Sequence, residues 1–70
     1  MTTADSFSTI LETRFFASGA EGVAYYHVQG FETDETMSVG GRIMRNYETG
    51  LEVYIRRLGF LNWKATVIAF

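Results

Sequence analysis

The sequence predicts an α+β domain: a twisted antiparallel sheet of about four strands with one short helix on one face. Three observations predict it. Runs rich in β-branched and aromatic residues recur along most of the 70 residues, separated by short Gly-bearing or polar stretches. No Pro interrupts them, so every strand keeps its backbone donors. One stretch, Thr49 to Gly59, carries helix start and stop signals.

The chain opens on small polar residues, Met1 to Ser6, expected as a flexible arm ahead of a single domain over 7–70. Residues 8–17, with Leu11, Thr13 and Phe15 alternating against Glu12, Arg14 and Phe16, suit a first strand; the competing reading is a helix, because Phe7, Ile10, Leu11 and Phe15 approximate a helical face and Thr9 and Glu12 have capping-box spacing. Ser18-Gly19-Ala20-Glu21-Gly22 suits a hairpin loop, and Val23 to Phe31 suits a second strand by its aromatic and β-branched content. Glu32-Thr33-Asp34-Glu35-Thr36 reads as an acidic loop without the ordered ligand spacing of a calcium site. Met37 to Tyr47 reads as a third strand with a bulge or bend at Gly40-Gly41. A phosphate cradle would need a helix to open directly after those glycines, but Arg42 onward continues as strand.

The helix is expected at about 50–58. Thr49 and Glu52 have capping-box spacing. Leu51, Tyr54, Ile55 and Leu58 share one helical face. Arg56 and Arg57 complement the C-terminal dipole, and Gly59-Phe60 supplies a stop. The competing reading is a strand, because Leu51, Val53 and Ile55 also alternate. Trp63 to Phe70 is expected as the last strand, giving the order β-β-β-α-β.

Composition removes several function classes. There is no Cys and one His, so disulfides, thiolate sites and a multi-His metal centre within one chain are excluded. His27 has no nucleophile arranged beside it and reads as a half-buried structural residue. Glu32 and Glu35 have no apolar wall to raise a pKa. The chain is therefore expected not to be an enzyme and to hold no cofactor or metal. No apolar run approaches a membrane span, and no signal-peptide pattern opens the chain; a cytoplasmic location is the expectation.

The net charge is −2, but residues 1–35 carry −5 and residues 36–70 carry +3. Aromatic residues make up 16% of so small a chain, which places some rings at the surface or an interface. These features point to a non-catalytic protein-interaction module, acting as a homo-oligomer or on a larger assembly as an inhibitor or assembly factor. Small acidic chains without Cys or Pro are common among phage-like and mobile-element products, an association of composition alone. The candidate partner-binding residues are Arg42, Arg45, Arg56, Arg57, Trp63 and Lys64. The alternative is nucleic-acid binding by the basic second half, with cations on phosphates and the rings of Tyr47, Tyr54 or Trp63 under bases.

Overall fold

The computed structural model describes residues 10–37 and 40–69; the expected arm over 1–6 lies outside them. The α+β class holds: one helix packs on an antiparallel sheet. The strands number five rather than about four, and the order along the chain is β-α-β-β-β-β. The elements are β1 (Ile10–Phe16), α1 (Gly19–Val28), β2 (Glu32–Thr36), β3 (Arg42–Asn46), β4 (Leu51–Gly59) and β5 (Asn62–Ala69). Across the sheet the order is β1-β5-β4-β3-β2. Strands β2 to β5 form a meander, and β1 returns to pair with β5. The two edges are therefore β1 and β2, and α1 joins them by crossing one face.

The helix is not at 50–58. That stretch is β4, a strand bonded on both sides, to β3 and β5. Both halves of its apparent capping box act elsewhere. The Thr49 hydroxyl donates to the Asn46 carbonyl, and the Glu52 carboxylate accepts from Arg45. Asn46 organises the turn before β4: its Oδ1 accepts from the backbone N–H groups of Glu48 and Thr49, and its amide donates to the Gln29 carbonyl. Asn46 is 6% exposed, so these bonds also satisfy a buried amide.

The helix is instead built from the stretch expected as a loop and second strand. Its own capping residues are Ser18 and Glu21. Ser18 Oγ accepts from the Glu21 N–H at 3.2 Å, and the Glu21 carboxylate accepts from the Ala17 N–H at 3.3 Å. The C-terminus is a Schellman motif. Gly30 N–H donates to the His27 carbonyl and Phe31 N–H to the Tyr26 carbonyl, each at 3.0 Å, while the Tyr26 and Phe31 rings meet edge to face with centroids 5.4 Å apart. Strand-forming Val23, Tyr25, Tyr26 and Val28 are thus overridden by two caps and by tertiary packing. His27 is exposed on this helix rather than half-buried in a strand.

Gly22 is the point where α1 touches the sheet. A Cβ there would lie 3.2 Å from Phe16 Cδ2 and 3.4 Å from Ile55 Cγ2. Below the helix the core gathers Tyr26, Phe31, Met44, Val53, Ile55, Ala65 and Val67. Gly30 has φ +99°, and a Cβ on it would meet the Asn46 amide nitrogen at 2.9 Å. Gly30→Ala therefore combines backbone strain with a clash against the Asn46 turn. It should cost about 1–3 kcal/mol, read by urea denaturation.

The remaining strand expectations land close to the observed elements. Residues 8–17 contain β1, Met37 to Tyr47 contains β3 after Gly40-Gly41, and Trp63 to Phe70 contains most of β5. The acidic stretch 32–36 is the edge strand β2, not a loop, because it pairs with β3 in a bulged register.

Candidate functional site

Strand alternation and register divide the side chains between two faces. On the helix-covered face, Phe16, Trp63 and Arg57 form one cross-strand row, and Arg14, Ala65, Ile55, Arg42 and Thr36 form the next. Among the described residues no helix packs on the opposite face. There the rows run Phe15, Lys64, Arg56; then Thr13, Thr66, Tyr54, Ile43, Glu35; then Ile10, Ile68, Glu52, Arg45, Glu32.

This open face holds apolar surface beside separated charge. Ile10 is 56% exposed, Phe15 60%, Tyr54 37% and Leu58 45%. Arg56 and Lys64 lie directly opposite each other on β4 and β5, and among the described residues neither has an ion-pair partner. Their like charges repel across the strands, so an anionic group would be favoured there. The far side of the face is acidic, from Glu32, Asp34 and Glu35 on β2.

Between the two lies an ion network centred on Arg45. Its guanidinium reaches Glu52 at 2.6 Å, Asp34 at 2.9 Å and Glu35 at 3.8 Å. Glu52 is 5% exposed, and a carboxylate so buried requires a charge-assisted partner. The Tyr47 hydroxyl donates to Asp34. That bond first, and Arg45 second, hold the Asp34 carboxyl below its ordinary 3.8. The sign follows. The unfolded chain takes up the proton first, so the contribution present at neutral pH is lost as pH falls below about 3.8. Asp34→Asn should flatten the acid side of a Tm-against-pH profile; an unchanged profile would show that this carboxylate is not linked to folding.

The six candidate residues expected to act together do not form one patch. Arg56 and Lys64 are adjacent on the open face. Arg45 shares that face but is engaged in the network just described. Arg42, Arg57 and Trp63 belong to the helix-covered face. The Arg42 guanidinium donates to the Gly40 carbonyl at 2.8 Å, Arg57 Nε donates to the Gly59 carbonyl at 3.2 Å, and the Trp63 ring packs against the core and Gly19. A strand places neighbours such as Arg56 and Arg57 on opposite faces, whereas a helix end would have grouped them. Phe15 and Ile10 are absent from the expected site residues, and Tyr54 enters only as a stacking ring of the nucleic-acid alternative. Their signal was the period-two alternation in β1 and β4, which marks two-sided strands.

Comparison with protein-family models, with curated proteins and with solved structures finds no match to this chain. Among the described residues no helix is long and apolar enough to cross a membrane.

Proposed function

We propose that the chain is a non-catalytic protein-interaction module that docks a partner protein on the open face of its sheet. The observation that carries this reading is the combination, on the face opposite the helix, of exposed Phe15, Tyr54 and Ile10 with the Arg56–Lys64 pair. Aromatic anchors with arginine are what protein interfaces favour. The helix-covered face offers no comparable surface, since its apolar side chains form the core.

The test is affinity capture from cells that make the protein, comparing three baits. Wild type should retain a partner. Tyr54→Lys/Arg56→Glu, altered only on the open face of the inner strand β4, should lose it while keeping its circular dichroism. Val28→Lys, at an 85%-exposed position at the helix end, should retain it. Retention by the open-face variant contradicts the proposal.

A second reading draws on the same row. Phe15, Lys64 and Arg56 in succession could stack a base and neutralise phosphates. Two such cations predict a shallow salt dependence, with log K falling about 1.4 per decade of salt on single strands. The acidic β2 side and the net charge of −2 favour the protein reading. Single-stranded oligonucleotide binding that is absent at low salt removes the alternative.

A further inference from the structure

We infer that β1 is a self-pairing edge: two copies of this chain join antiparallel through residues 11–15, about a two-fold axis at Thr13, into one continuous ten-stranded sheet. The inference goes beyond the open-face reading, because it concerns the sheet's edge and names a different partner.

The two edges differ. Both are bulged, β1 between Ile10 and Glu12 and β2 between Thr33 and Glu35, but β2 carries Glu32, Asp34 and Glu35, a run of like charge that discourages edge-to-edge pairing. β1 has Ile10 at 56%, Leu11 at 54% and Phe15 at 60% exposure, and among the described residues it pairs on one side only, with β5. Such an edge is a template for another strand.

The sequence of β1 selects itself as that strand. Thr13 is the midpoint of Ile10–Phe16. A two-fold there sets Glu12 opposite the partner's Arg14, Arg14 opposite the partner's Glu12, and Leu11 opposite the partner's Phe15. Every charge then meets its opposite and Leu11 meets Phe15; the bulge between Ile10 and Glu12 puts Ile10 and Phe16 on different faces, so the matched span ends at Leu11 and Phe15. Antiparallel geometry permits the axis at Thr13 whether or not that residue's own backbone groups point outward. Moving the axis by one residue sets Glu12 against the partner's Glu12, or Arg14 against the partner's Arg14. Like charges thus reject the neighbouring registers. Within one chain Arg14 already pairs with Glu12 and lies 4.8 Å from the Tyr25 ring centroid, so both side chains are held near the edge they would serve. Each copy presents the same patch, as a closed two-fold dimer requires. An edge of this size buries far less than the roughly 1,600 Å² of a stable complex, so the association is weak and concentration-dependent.

Sedimentation velocity tests this on the full chain, from about 10 μM to about 1 mM, the range for a small transient interface. Wild type should shift from monomer to dimer. Glu12→Arg alone and Arg14→Glu alone should each remain monomeric, and their equimolar mixture should recover a heterodimer at least tenfold tighter than either variant alone. Glu12 also accepts from the Tyr26 hydroxyl at 3.3 Å, so a fold-neutral variant is needed beside these two. Thr13→Lys, at an exposed position, sets two cations at the axis and should be monomeric with a wild-type circular dichroism spectrum. Wild type that stays monomeric at the highest concentration overturns the inference. So does a dimer that persists in Thr13→Lys, or a pair of folded charge variants whose mixture does not associate. None of these results alters which bait captures a partner protein, so failure here and failure of the open-face proposal are read separately.

Discussion

Tyr26→Ala is expected to leave the chain unfolded, or nearly so, at room temperature. The ring is 1% exposed. It contacts Phe16, Tyr25 and Phe31 with centroids 6.1, 4.9 and 5.4 Å away. Truncating a large buried aromatic costs about 3–5 kcal/mol. A 70-residue chain without Cys has a net stability of only about 3–5 kcal/mol. Tyr26 also closes the Schellman motif, since its ring meets Phe31 beyond the helix end, so its loss frees the helix stop along with the core. Tyr26→Phe keeps the ring and gives up only the bond to Glu12, a loss of about 1 kcal/mol. Urea titrations of the two variants should therefore differ sharply. Similar midpoints would mean that the ring is not the keystone of the helix–sheet contact.

The second large effect is at Ile55. Its side chain is 0% exposed, directly under Gly22. Ile55→Ala should cost about 2–5 kcal/mol. Arg56→Ala, one residue further on, is exposed on the other face and should change stability by no more than about 0.5 kcal/mol. Tyr54→Ser, also exposed on the open face, should fall closer to Arg56→Ala than to Ile55→Ala. This alternation along three consecutive residues belongs to a strand. A helix over 50–58 would have made Tyr54 and Ile55 neighbours on one buried stripe and given them similar costs.

That contrast shows what the sequence made legible. The α+β class, β1, β3 and β5 follow from apolar alternation and turn residues. The helix and β4 exchange places because each stretch carries signals of both kinds. Thr49 and Glu52 have capping-box spacing, but so do Ser18 and Glu21, and Gly30-Phe31 stops a helix as well as Gly59-Phe60 would. The choice is decided by long-range partners. Glu52 faces Arg45 across the β3–β4 ladder, and Gly22 fits against Phe16 and Ile55, which lie 6 and 33 positions away in the chain. Local propensity cannot see either contact. The candidate site was legible to the same degree. Arg56 and Lys64 are together because β4 and β5 pair. Arg42, Arg57 and Trp63 are excluded from that patch by alternation, which the helix expectation concealed. Of the residues expected to line a buried helix face, Ile55 is core and Leu51 half-buried, while Tyr54 and Leu58 are exposed on the open face.

The open face contains the chain's single lysine, Lys64, midway between Phe15 and Arg56 in register. Its rate of acylation, followed by mass spectrometry in the free protein and in the complex captured by the wild-type bait, reports that face at one atom. Lys64 Nζ should be strongly protected in the complex and return to the free rate when the partner is released. Labelling of Lys64 at the same rate in the complex as in the free protein would contradict docking on that face.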